Sequence, residues 1–132
     1  MSGEQRKRTE LDVLVERLAR AAEPDRDIDY DLALSCDWKV NGGMTFRQYA
    51  MEYPKWVRRS DEWPRYTRSI DAALTLMPER TAWSVQATKA TFQADCRMRG
   101  ETVTAQASTA AIALCIAALR ARAALARTAK DA

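Results

Sequence analysis

The chain has 132 residues, 47% of them hydrophobic and 30% charged, with a net charge of +3 and no histidine. That length supports a single domain, residues 1–132, able to bury its own core. Without imidazole there is no Ser-His-Asp or Cys-His catalysis, and the commonest metal ligand and general base are missing, so an enzyme is the lesser expectation.

Charge is unevenly spread along the chain. Residues 1–37 sum to −4, residues 38–66 to +3 and residues 67–132 to +4, so an anionic partner is expected to prefer the later two-thirds. Arginine outnumbers lysine, which a GC-rich genome explains as well as a binding role does. The opening MSGEQRKRTE has no apolar segment behind its basic residues, which argues against a signal peptide, and no apolar run approaches a membrane span.

A first helix is expected over 8–22. Leu11, Leu14, Val15, Leu18 and Ala22 recur at helical spacing, Thr9 and Asp12 form a capping-box-like pair, and Pro24 stops the run. A second helix is expected over 26–37, with Ile28, Leu32 and Cys36 on one face. The alternating carboxylates from Asp25 to Asp31 invite a calcium reading, but an EF-hand loop needs glycine sixth and glutamate twelfth, where Tyr30 and Cys36 stand. Acidic residues in a first helical turn simply complement its dipole.

Residues 38–66 form an aromatic and basic insertion. Seven of the ten aromatic residues fall there, interleaved with Lys39, Arg47, Lys55, Arg58, Arg59 and Arg65. Asn41-Gly42-Gly43 marks a tight turn, and Thr45 with Gln48 caps a helix bearing Phe46, Tyr49, Ala50 and Tyr53 on one face. A small hairpin of Trp38–Val40 with Met44–Phe46 competes with that helix. Pro54 to Pro64 reads as an irregular loop.

A helix over 67–77 should carry Ile70, Ala73, Leu74 and Met77 inward, before Pro78 closes it. The period then changes to two. Three runs within 82–107 alternate apolar and polar residues, which predicts a three-stranded antiparallel meander with one apolar face. A last helix over 109–127 shows two apolar stripes. One stripe suits the sheet; the other, with Leu114, Ala118, Ala121 and Leu125, needs a neighbouring helix or a second copy of the chain, so a homodimer through this helix is a possible outcome. The fold class expected is α+β, the meander packed with four to five helices in an α/β/α sandwich-like arrangement, a further helix covering part of the polar sheet face. Cys36, Cys96 and Cys115 lie in apolar patterns without metal-type spacing, as reduced thiols of a cytoplasmic protein do.

The opening helix with Glu23-Pro24-Asp25-Arg26-Asp27-Ile28-Asp29, then Pro64 to Leu74 (PRYTRSIDAAL), then Ala110 to Arg122 (AAIALCIAALRAR), resembles the phage α-β-α sandwich-domain proteins, whose members mostly lack an assigned activity. Residues 38–63 stand as an embellishment on that pattern, and Thr109-Ala110 replaces an expected Thr-Pro. The resemblance implies an accessory protein in the cytoplasm of a phage-infected host, with helices on a small sheet, no cofactor and no catalytic residues. Tyr66, Thr67, Ser69 and Asp71 in its second signature are read as a helix cap and a buried hydrogen-bond network before a functional set.

The candidate ligand-binding residues are Trp38, Tyr49, Tyr53, Trp56, Arg58, Arg59, Trp63, Arg65 and Tyr66. Rings stack flat groups and guanidinium forks hold phosphate or carboxylate. Three roles follow: capture of a nucleotide-like anionic small molecule, as in counter-defence by a phage; inhibition of a host protein, since Trp, Tyr and Arg are also hot-spot residues; and nucleic-acid binding, which the modest charge ranks last. The plain alternative makes Phe46, Tyr49 and Tyr53 core, with Trp56 and Trp63 pinning the loop.

Overall fold

The computed structural model describes residues 9–40 and 43–131. The basic N-terminal stretch, and Asn41 and Gly42 of the expected turn, lie outside the described residues. The elements run α1 (Glu10–Arg20), α2 (Arg26–Ser35), α3 (Phe46–Glu52), α4 (Val57–Ser60), α5 (Ile70–Leu74), β1 (Ala82–Ala87), β2 (Phe92–Met98), β3 (Glu101–Ala107) and α6 (Ala110–Asp131). This is the expected α+β class, with a meander of order β1-β2-β3.

Local chemistry explains most boundaries. The Thr9 hydroxyl accepts from the Asp12 amide at 3.1 Å while the Asp12 carboxylate accepts from the Thr9 amide at 3.1 Å, a complete capping box on α1. Asp25 caps α2 by accepting from the Asp27 and Ile28 amides. Thr45 caps α3, Ser69 caps α5 and Thr109 caps α6 in the same manner. The hairpin and helix readings of the insertion both hold in part: Lys39 and Thr45 form one isolated bridge, and α3 starts directly after it. Gly43, at φ +85°, lies in the left-handed region on the way into that bridge.

The sheet registers Trp83 against Cys96 and Val85 against Ala94, then Cys96 against Val103 and Ala94 against Ala105. The apolar face therefore runs through Ala94, Cys96 and Ala105, all buried. Helix α6 packs on this face, and α1 and α5 pack on α6. Ile112, Leu114, Ile116 and Leu119 are all fully buried, each contributing roughly 1.5–3 kcal/mol of transfer free energy. The second stripe of α6 is thus covered by helices of the same chain at Leu114, Ala118 and Ala121, and only Leu125 of that stripe stays exposed. No helix among the described residues is long and apolar enough to cross a membrane.

Two local expectations are replaced. Residues 57–60, read as loop, form the short α4, whose Val57 is buried. Helix α5 ends at Leu74 because the Thr75, Leu76 and Met77 amides bond three residues back, to Ala72, Ala73 and Leu74. That tighter turn changes the angular phase beyond Leu74, so Leu76 enters the core; Ile70, the first residue of α5, is exposed. The polar sheet face carries cross-strand bonds from Thr104 to Asp95 and from Gln106 to Gln93, and Arg97, Thr102, Thr104 and Gln106 on it are exposed. The helices gather on the apolar side of the sheet.

Candidate functional site

The aromatic and basic segment divides into an inner and an outer set. Phe46, Trp63 and Tyr66 are buried, and Trp38 and Tyr49 are half-buried. Tyr30 of α2 completes the inner set, meeting Phe46 and Trp63 edge-on with centroids 5.2 and 5.1 Å away; Trp38 meets Phe46 at 5.4 Å. Such edge-to-face pairs contribute about 0.5–1.5 kcal/mol each beyond their area. Three of the nine candidate residues, Trp38, Trp63 and Tyr66, therefore belong mainly to the core.

What orders this core is Arg26, which the sequence reading left unassigned. Its guanidinium donates to the Asp61 carboxylate at 2.6 and 3.2 Å, to the Asp29 carboxylate at 3.0 Å, and to the carbonyls of Trp63 and Pro64 at 3.1 and 3.2 Å. It also lies over the Trp63 ring, 4.6 Å from the centroid. Asp29 is buried, and its other oxygen accepts from both the amide and the hydroxyl of Thr67 at 2.8 Å. The Thr67 hydroxyl in turn accepts from the Asp25 amide at 2.9 Å. A charge this deep persists only when its lone pairs are satisfied, and here three donors do so. Residues 25–29 and 61–67 are thereby tied together as a structural latch.

The acidic run of α2 is dispersed among separate partners. Asp25 caps, Asp29 joins the latch, Asp31 pairs with Arg17, and Asp27 meets Arg58 at 3.5 Å. Among the described residues no group of three or more metal-type ligands comes together. The Arg26 hydrogen bond, foremost, holds the Asp61 carboxyl below its ordinary range. Burial, foremost, pushes the Tyr66 hydroxyl and the Cys115 thiol upward, and the Cys115 thiol donates to the Tyr66 carbonyl at 3.3 Å. Tyr66 and Cys115 thus serve packing between α6 and the latch.

The outer set is what solvent meets. Trp56 is 58% exposed, Tyr53 47% and Met51 78%. The chain carries them on the last turn of α3 and the turn into α4, where the Tyr53 carbonyl accepts from the Trp56 and Val57 amides. Arg59 sits 5.6 Å from the Trp56 ring centroid, and Arg58 lies 4.1 Å from that of Tyr30. Arg65 is exposed too, but turns to Asp61 at 3.5 Å. Tyr49 and Tyr53, with centroids 5.3 Å apart, line a hollow of 330 Å³ with Val40, Met44 and Glu62. The carboxylate there makes that hollow a poor seat for an anion.

Two further hollows lie elsewhere. One, of 240 Å³, sits between α1 and α2 over Val13, Leu14 and Leu34, rimmed by Glu10 with Arg47 and Asp31 with Arg17. The other, of 520 Å³, lies beside Met77, Pro78, Arg122 and Leu125. Trp56, Arg58 and Arg59 line none of these three hollows. Compared with protein-family models, with curated proteins and with solved structures, the chain matches none.

Proposed function

We propose that this protein is a binding module that engages another protein through the outer surface of the insertion, with Met51, Tyr53, Trp56 and Arg59 as its contact residues. The observation that carries this reading is the exposure of three large apolar side chains on consecutive turns, with exposed Lys55, Arg58 and Arg59 among them. Exposed apolar groups gathered in one place and edged by cations are the composition of a protein hot spot for a partner with some acidic character. The resemblance to phage proteins suggests a host component as that partner, with counter-defence as the setting.

Capture of a nucleotide-like molecule is the second reading. It asks for a concave site that encloses most of the ligand. Burial of Trp63 and Tyr66 takes two of its proposed stacking rings away from solvent, while Trp56 with Arg59 above it leaves one ring and one guanidinium for a base and a phosphate.

The test is native purification from phage-infected host cells of the wild type and of Trp56→Ala/Arg59→Ala, followed by mass spectrometry of eluted proteins and of small molecules released on denaturation. A host protein held by the wild type and lost from the folded double variant supports the module. A released nucleotide, with no protein, overturns it in favour of sequestration.

A further inference from the structure

Strand β1 is an edge strand with none of the usual protections. Its six residues, Ala-Trp-Ser-Val-Gln-Ala, include no charge and no proline, and among the described residues only β2 pairs with it. Natural edges are normally blunted by lysine, proline, a bulge or a covering element. The opposite edge is treated differently. There β3 begins at Glu101, α1 packs beside it, and Arg120 donates to the Thr104 carbonyl at 2.8 Å. The apolar face of β1 is also incompletely covered: α6 lies chiefly over β2 and β3, leaving Trp83 46% exposed and Val85 half-buried.

We propose that β1 pairs antiparallel with β1 of a second copy of this chain, about a twofold axis at Ser84, giving one continuous six-stranded sheet. Side chains alternate along a strand, so the two apolar faces stay continuous only if the axis passes through a residue and not between two. Axes at Ser84 and at Val85 both meet that condition. The Ser84 axis sets Trp83 opposite Val85 of the second copy, twice by symmetry, an aromatic and β-branched cross-strand pair. The Val85 axis instead sets Trp83 against the small Ala87. Trp83, 46% exposed, and half-buried Val85 thus each meet the other across the Ser84 axis, so the uncharged strand is complementary to itself in the antiparallel sense, and this selects a second copy as its partner. The interface is distinct from the one the sequence suggested on α6, whose second stripe is filled from within the chain.

Sedimentation velocity of the full chain, from about 1 to about 300 µM, reads the proposal directly through mass action. The expected result is a concentration-dependent shift from 14.9 kDa to twice that mass. Ser84→Lys places two ammonium groups opposite each other across the axis and should weaken dimerisation by about tenfold or more, with an unchanged melting curve at protein concentrations where both chains are monomeric. Ser84→Cys, directly opposite its copy, should form an intermolecular disulfide on mild oxidation, whereas Val85→Cys, set diagonally about 7–8 Å from its copy, should cross-link poorly. A chain that stays monomeric throughout overturns the proposal, as does a dimer indifferent to Ser84→Lys. Preferential cross-linking through Val85→Cys overturns the register.

Discussion

Asparagine at position 29 keeps the shape of the aspartate and removes its charge, which makes it the cleanest probe of the latch. The native carboxylate is 1% exposed and accepts from the Thr67 amide, the Thr67 hydroxyl and the Arg26 guanidinium. An amide oxygen can still accept from Thr67. The amide NH2 then faces Arg26, donor against donor. Loss of one charged hydrogen bond costs about 1.5–3 kcal/mol. Arg26 keeps Asp61 and two carbonyls, so the larger penalty of an orphaned buried charge is not incurred. Asp29→Asn should therefore destabilise by about 2–3 kcal/mol. In urea, where the slope for a domain of this size is about 1–3 kcal/mol/M, the midpoint should fall by about 0.7–3 M at constant slope. Asp29→Ala, which leaves all three donors facing a void, should cost about 3–5 kcal/mol. A midpoint shift below about 0.3 M for Asp29→Asn would refute the claim that this network joins the two segments.

Two more outcomes follow from the same geometry. Trp63→Ala should destabilise by about 3–5 kcal/mol, because the ring fills the space between Tyr30, Phe46 and Arg26. Trp56→Ala should stay within about 0.5 kcal/mol, and equal costs in urea titrations of the two variants would erase the division into inner and outer sets. Asp61 has a folded-state pKa below its unfolded value. Its contribution is therefore fully present above the ordinary carboxylate range, near pH 4, and is lost as pH falls through the depressed value. The stability gap between wild type and Asp61→Asn should be constant from neutral pH to about pH 4 and shrink below it. A gap that widens on acidification would reverse the assigned sign.

Features that depend on neighbours in sequence were legible. Thr9 with Asp12, Thr45 before α3 and Ser69 before α5 are caps whose partners lie three residues away, and the two-residue alternation through Trp83, Ala94 and Val103 specified the meander. Features that depend on distant partners were not. Arg26 looks like an ordinary first-turn residue until Asp61, Trp63 and Pro64 are brought beside it. Tyr30, outside the aromatic segment, gave no sign of joining it. The candidate site was read from composition, which cannot distinguish a ring that packs from one that projects. Trp56 and Trp63 lie seven positions apart in similar surroundings and have opposite fates, because Val57 turns inward and the Trp63 indole reaches the Arg26 carbonyl at 3.4 Å.

The central position of α6 has a consequence for synthesis. The N-terminal helices and the meander contact one another sparsely, and each buries its apolar side on residues 110–124. A nascent chain that has emerged only as far as β3 holds two half-cores with no common filler. It must wait for α6 to clear the ribosome, at about 5–20 residues per second, before either can close. Until α6 is in place, Leu14, Leu18, Cys96 and Ala105 lack the helix that completes their burial in the folded chain.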